Sequence, residues 1–331
     1  MIGVRSFGAD AGLVARHVAA AVEGLQSTGV AACPKHFPGH GATSTDSHHE
    51  VATIDATAAE LDTRELVPFR AGIAAGTRAV MTGHLLVPAL DADHLATVSP
   101  AITTGLLRER LGFAGTVVTD ALEMRAVAGT VGMVEGFVRA LIAGADAIET
   151  GALDYPDLVE AIPAAVQAAV DDGRLSRERL GDAAQRTAQL ARPAAGAGAA
   201  VEPPFADCLE VLGELPRLTA PLVLECRPPG GMASGELPWS LAEPLAARCP
   251  GAEAVAMTAG SAWPATDRDV VLVVRDPHRH DWQQALLARP AAVVVDVGWP
   301  ADLPSNVPVL RTRGVAPGLL AAAADRLSAN R

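Results

Sequence analysis

The sequence predicts an α/β protein in two parts, each with strands and helices in alternation. Three observations carry this. Short apolar runs recur between longer amphipathic runs, the rhythm of parallel strands joined by helical crossovers. The chain is 50% hydrophobic but only 3% aromatic, so its cores are aliphatic. A stretch rich in Ala, Gly and Pro, Arg192–Ala206, interrupts the rhythm and reads as a linker. The predicted divisions are residues 1–191, a linker at 192–206, and residues 207–331.

The first part opens with an Ala-rich amphipathic helix over Ala11–Leu25, followed by a strand over Val30–Phe37. The capping box Thr57-x-x-Glu60 starts a helix that runs toward Ile73. Val80–Val87 and Thr116–Leu122 read as strands, and Ala145–Thr150 as the fourth. Short helices near Thr103–Leu111 and Gly136–Ala143 lead into the last two, and Asp154–Val170 and Ser176–Leu190 complete this half. After the linker, Pro221–Cys226, Ala252–Thr258, Asp269–Arg275, Ala291–Val297 and Val307–Arg311 read as strands. Helices fall near Leu237–Ala247, Trp282–Arg289 and Ala316–Leu327, giving an open α/β sandwich of about five strands.

A chain of 331 residues is long enough for roughly two domains. Its formal net charge of -12 argues against nucleic-acid or anionic-membrane binding, which needs a basic face. Cys33, Cys208, Cys226 and Cys249 show no CxxC spacing, and a reducing cytoplasm is the plain expectation. No signal peptide and no membrane-length apolar run are visible.

Chemistry concentrates in Lys35–His49, which holds Lys35, His36, His40, Asp46, His48 and His49 among Pro38, Gly39 and Gly41. Pro and Gly make this run a loop, and ionisable loops at strand ends are where parallel α/β folds place their sites. Asp46 can fix the tautomer of His48 if the loop curls, and equally both residues can be ordinary loop formers. The apolar strand before Asp120 ends on that carboxylate, which can serve in a site or merely cap the next helix. His36 and His40 sit four apart, but Pro38 and Gly39 break any helix that would align them on a metal, and no HExxH is present. His84 either faces the same rim or satisfies a backbone carbonyl. Asp276–His280 reads as a solvated loop and Asp296 as a strand-end turn residue.

Lys35-His36-Phe37-Pro38-Gly39-His40-Gly41, Asp46-Ser47-His48 and Thr119-Asp120-Ala121-Leu122-Glu123-Met124 together resemble glycoside hydrolase family 3, in its bacterial β-N-acetylglucosaminidase branch. Ile2-Gly3-Val4-Arg5-Ser6-Phe7-Gly8 is similar to that branch's arginine segment. The resemblance implies the C-terminal half of a (β/α)8 TIM-type barrel, followed by an α/β sandwich domain. It implies Asp120 as the nucleophile, His48 paired with Asp46 as the acid/base, and Arg5, Lys35 and His36 as ligands of sugar hydroxyls. The implied reaction is retaining hydrolysis of terminal β-linked N-acetylglucosamine from cell-wall or chitin-derived glycosides. No cofactor or metal is called for, because side chains supply every role.

A histidine acid/base does not repel an anionic acceptor as a glutamate would, so phosphorolysis is the alternative outcome. The family's eight-stranded barrel also has an upstream segment, with a sugar-binding aspartate and arginine, that has no counterpart in this sequence. The expectation is therefore a start upstream of Met1 or a degraded gene. In the short form, weak or absent activity, retained sugar or protein binding, or rescue by homo-oligomerisation is expected, since an open half-barrel exposes strand edges.

Overall fold

The computed structural model describes residues 5–43, 51–151, 156–192, 203–229, 239–304 and 306–329, which fall into two units, Met1–Ala200 and Val201–Arg331. The first unit holds α1 (Ala11–Ser27), β1 (Ala52–Thr53), α2 (Ala58–Thr63), α3 (Leu66–Ala74), β2 (Ala79–Thr82), β3 (Leu85–Val87) and β4 (Asp91–Leu95). A π-helix (Ala101–Arg110), β5 (Thr116–Thr119), α4 (Arg125–Ala128), α5 (Met133–Ala143), α6 (Pro156–Asp171) and α7 (Arg177–Leu190) follow. The helix starts are written locally. Asp10 accepts from the Leu13 amide at 2.7 Å, and the Thr57–Glu60 capping box is closed from both sides. Each such cap contributes about 1 kcal/mol.

Four parallel segments lie side by side in chain order. The segment 32–37 is held to β2 by Ala79 N–H to Ala32 O at 3.2 Å, Met81 N–H to Pro34 O at 3.1 Å and Phe37 N–H to Met81 O at 2.7 Å. Strands β2 and β5 pair in parallel, with Thr82 opposite Thr119. Beyond β5, Val118 bridges Ala147, and Thr119 N–H donates to Ala147 O at 3.0 Å. Phe37, Val80, Val117 and Ala145 are all buried in one core with Leu61, Leu66 and Ile102. This is the βα order expected, in four of the eight strands of a closed barrel.

Three elements depart from expectation. The run Val80–Val87 is not one strand: it splits at Gly83-His84, and β3 joins β1 and β4 in a separate three-stranded sheet. At the split, a Cβ on Gly83 would sit 2.9 Å from the His36 Cβ, so only glycine lets the two segments approach. The helix from Thr57 toward Ile73 breaks at Arg64-Glu65, because the Pro68 ring would clash with the Arg64 carbonyl of a continuous helix. The helix expected at Thr103–Leu111 is a π-helix, with Leu111 N–H reaching Leu106 O at 2.9 Å.

The second unit contains β6 (Glu210–Leu212), β7 (Leu222–Cys226), α8 (Ala242–Ala246), β8 (Glu253–Met257), β9 (Val270–Val274), α9 (Asp281–Leu287), β10 (Val293–Asp296), β11 (Val309–Arg311) and α10 (Pro317–Ser328). Its sheet runs β6-β11-β10-β9-β7-β8, parallel except for β6. Alternate residues of β9 serve opposite faces: Val271 and Val273 pack with Leu245, Leu320 and Ala324, whereas Leu272 and Val274 pack with Leu286 and Leu287. That is the sandwich expected, with a sixth strand added. The sequence does not announce β6, since three residues led by Glu210 carry no readable period. Of the helix expected at Leu237–Ala247, Ala242–Ala246 forms, and 237–238 lie outside the described residues. Asp296 is the turn residue expected, accepting from the Gly298 amide at 3.0 Å, though burial pushes its carboxyl up to about 6. Asp276 in the loop expected to be solvated instead holds the Trp299 amide at 2.7 Å.

In the first unit, one buried carboxylate ties the fourth segment to its neighbours. The Asp146 side chain is fully buried and accepts from the Val117 amide at 2.9 Å, while the Arg108 and Arg179 guanidiniums close on its two oxygens. The same arginines also donate to the Gly144 and Ala145 carbonyls at 3.1 and 2.9 Å. Removing the anion would strand two partly buried cations, which costs more than the pair itself contributes. Asp146→Ala is expected to lower the unfolding free energy of this unit by about 3–5 kcal/mol in denaturant titration. A loss below about 1 kcal/mol, the range of an exposed pair, would contradict the assignment.

Candidate active site

The ladder brings three chemistry-bearing turns to one rim. Thr82 and Thr119 are level, so Gly83-His84 and Asp120 leave their strands side by side, and Phe37 meets the same level from the neighbouring segment. Asp120 is fixed by its backbone, with its N–H donating to Thr82 O at 3.0 Å, and its Oδ1 accepts from the Ala121 amide at 3.0 Å. That second contact is to the next residue and caps no helix: the helix that follows, α4, begins at Arg125 with Met124 as its N-cap and no side-chain cap bond. The contact leaves Oδ2 pointing at His36, whose Nε2 lies 3.5 Å away.

His36 sits in the Lys35–Gly41 loop, which folds as it does because Phe37 is an apolar anchor. Phe37 is wholly buried and meets Phe69 edge-on, with ring centroids 5.1 Å apart. Gly39 has φ +140°, and a Cβ there would fall 2.7 Å from the Glu65 side chain. The Lys35–His36 and Phe37–Pro38 peptide bonds are cis. His40 stacks edge-on against His36 at 5.7 Å, and its Nδ1 lies 2.7 Å from the Thr43 hydroxyl.

Burial pushes the His36 imidazole down to about 4; Asp120 pulls the other way, but Lys35, His40 and Arg5 reinforce the depression. At neutral pH the ring is therefore neutral. The 3.5 Å contact is a neutral imidazole beside a carboxylate rather than an ion pair. A neutral ring can donate and accept, which suits a sugar hydroxyl.

Arg5, Lys35 and His36, the three expected sugar ligands, line one cavity of about 680 Å³ together with His40, Arg64 and Glu65. Its apolar wall includes the α1 residues Val14, Val18 and Val22, with Phe7, Pro68 and Phe69 from elsewhere in the chain. Asp120 is not part of that wall and meets the cavity only through His36. Asp46 and His48, the expected acid/base pair, lie outside the described residues. Glu65 and Thr97 were not singled out from the sequence. Glu65 is signalled there only by its place just before the Leu66-Val67-Pro68-Phe69 run. Thr97 carries no sequence signal, because a hairpin brings it in. His84 takes the second of its two readings: it is fully buried, and its Nε2 donates to the Ala121 carbonyl at 3.0 Å.

Comparison with known proteins gives the family. Residues 1–190 match the Glycosyl hydrolase family 3 N terminal domain. The chain belongs to glycoside hydrolase family 3. A "Beta-hexosaminidase" of Stenotrophomonas maltophilia is 42% identical over 167 residues, covering 50% of this chain and 48% of that protein. A "Beta-N-acetylglucosaminidase/beta-glucosidase" of Cellulomonas fimi is 36% identical over 196 residues, covering 56% of this chain and 34% of that protein. The chain thus spans about half, or less, of the length of these curated relatives. The solved structure of a family 3 β-N-acetylglucosaminidase from a Paenibacillus species superposes with TM-score 0.83 at 33% identity, covering 99% of this chain and 70% of that one. The architecture is accordingly the C-terminal half of a TIM-type barrel followed by an α/β sandwich. No helix among the described residues is long and apolar enough to cross a membrane.

The depressed His36 has a signed consequence. Below about 6.5 the unfolded ring takes a proton that the folded ring refuses until about 4, so stability falls as pH drops through this window. Asp296, raised to about 6, acts in the opposite sense over nearly the same range, so the wild type alone is not diagnostic. The difference between wild type and His36→Gln is. The variant should lose less thermal stability between pH 7 and 4, and parallel curves for the two proteins would contradict the depressed imidazole.

Proposed function

We propose that this chain carries the catalytic face of a retaining β-N-acetylhexosaminidase, releasing terminal β-linked N-acetylglucosamine from cell-wall or chitin-derived glycosides in the cytoplasm. The observation that supports it best is Asp120, fixed at a strand end with one carboxylate oxygen free of backbone bonds and directed at His36, in a chain of family 3.

In this reading Asp120 Oδ2 attacks the anomeric carbon as the bond to the leaving oxygen breaks. His48, oriented by Asp46, protonates that oxygen. The glycosyl-aspartate then passes through a second oxocarbenium-like transition state as water attacks C1. His48 takes the water's proton, and the aspartate leaves as a carboxylate. Two inversions give net retention. Arg5, Lys35 and the neutral His36 hold sugar hydroxyls, and no cofactor enters. An acceptor phosphate in place of water would give sugar 1-phosphate by the same steps.

A second reading, sugar binding without turnover, draws on one feature of the fold. Ala32 and Pro34 direct their carbonyls to β2, so the alternation aims the backbone of Cys33 and Lys35 away from it, where among the described residues it meets no partner. Such an open edge weakens the scaffold beside the site.

Turnover of a chromogenic β-N-acetylglucosaminide decides between them. Asp120→Ala is expected to lower kcat by at least about 10³-fold while leaving the fold intact. Turnover that survives the substitution would remove Asp120 from the mechanism, and saturable sugar binding with no turnover in wild type would favour the second reading. Sugar 1-phosphate accumulating on addition of phosphate would identify the acceptor as phosphate.

A further inference from the structure

We infer that His84 is a positioning residue for Asp120, an inference that rests on the nucleophile reading of Asp120. The geometry is a buried relay. Ala121 is held at both ends: its N–H donates to Asp120 Oδ1 at 3.0 Å, and its carbonyl accepts from His84 Nε2 at 3.0 Å. On the other side of the ring, Nδ1 lies 2.9 Å from the Thr97 hydroxyl. Thr97 is itself placed by contacts to the Thr82 hydroxyl at 3.2 Å and the Gly83 carbonyl at 3.0 Å. Thr82, His84, Thr97 and the strand end at Thr119 are all fully buried.

The chemistry assigns the protons. A carbonyl only accepts, so Nε2 carries the hydrogen. Thr82 donates to the Thr97 oxygen, and the single Thr97 proton is shared between the Gly83 carbonyl and Nδ1, both within reach. The ring is thereby fixed about its own axis and cannot release the Ala121 carbonyl without breaking a second buried bond. Losing the His84 donor would leave that carbonyl to the Met124 amide alone, at 3.2 Å, and the 121–122 peptide to the bond from Leu122 N–H to the Glu149 carbonyl at 3.1 Å, loosening the turn that follows Asp120. A looser turn moves the Ala121 Cα, and with it the neighbouring 120–121 peptide whose N–H orients the Asp120 carboxylate through Oδ1. With Oδ1 released, Oδ2 is no longer directed at His36. Reacting oxygens displaced by about 1 Å cost on the order of 10²-fold in rate.

The β3–β4 hairpin acquires a purpose in this light. It interrupts the barrel rhythm directly after His84 and returns the chain with Thr97 against the ring. A continuous strand through Val80–Val87 would carry His84 past the rim and leave no hydroxyl at Nδ1.

Two near-isosteric substitutions separate positioning from mere packing. An asparagine side chain in place of His84 reaches only as far as Nδ1 does, whereas a glutamine amide reaches to where Nε2 lies. His84→Gln therefore keeps a donor for the Ala121 carbonyl, and His84→Asn does not. Expected is a kcat about 10–100-fold below wild type for His84→Asn, with KM within about threefold, and recovery of most of kcat in His84→Gln. Equal losses in the two variants, or a loss confined to KM, would overturn the inference. A second readout does not depend on turnover: amide hydrogen exchange at Ala121 and Leu122 should quicken in His84→Asn but not in His84→Gln. Unchanged exchange in both variants would overturn it as well. A wild type that neither turns over nor labels Asp120 would instead count against the nucleophile reading, and the exchange result would still stand on its own.

Discussion

The site depends on the register of a parallel ladder. Thr82 stands opposite Thr119, Phe37 bridges Thr82, and Val118 bridges Ala147, so four consecutive strand ends emerge on one rim. A single-residue slip in any pair would turn an inward side chain outward and separate Asp120 from His36. The fold concentrates its strongest interactions on preventing that slip. At the inner end of the ladder, Asp146 gathers two guanidiniums and the Val117 amide. At the outer end, Phe37 is sunk against Phe69, and Gly83 admits His36 within van der Waals reach. Rigid scaffold below and polar loop above is the division of labour that parallel α/β proteins use.

Much of this was legible in the residues. The strand ending on Asp120 and the loop carrying His36 could be read from composition and Pro/Gly punctuation alone, and the two motifs together gave the family. The alternation of β9 between two helical layers follows from its unbroken valine and leucine run. What the sequence could not reveal was tertiary in origin. The break at Gly83 looks like a tolerated strand glycine until His36 is seen against it. Thr97 lies far from His84 along the chain and meets it only through a hairpin whose short strands carry no period. Arg108 and Arg179 look like solvated helix charges, although they close on a buried carboxylate from different helices.

The electrostatics of the rim also required coordinates. Nothing in the sequence places His36 beside Asp120, and the charge state of the ring follows only from its surroundings. Here burial and the surrounding positive charges outweigh the carboxylate, and His36 stays neutral to about 4. Asp120 therefore faces a hydrogen-bonding group instead of a countercharge. An unneutralised carboxylate is the better nucleophile, and a neutral imidazole is the better partner for a hydroxyl.

The central claim is that Asp120, and no other carboxylate on this rim, bonds to the sugar. Glu123 is committed to the Gly151 amide at 2.7 Å. Its neighbour across the rim, Glu149, follows the fourth segment. Incubation with a slowly released fluorinated N-acetylglucosaminyl donor, followed by peptide mass spectrometry, distinguishes the three. The account predicts one glycosyl adduct, on the peptide containing Asp120 and lost in Asp120→Ala. An adduct on Glu123 or Glu149, or steady turnover with no adduct at all, would contradict it.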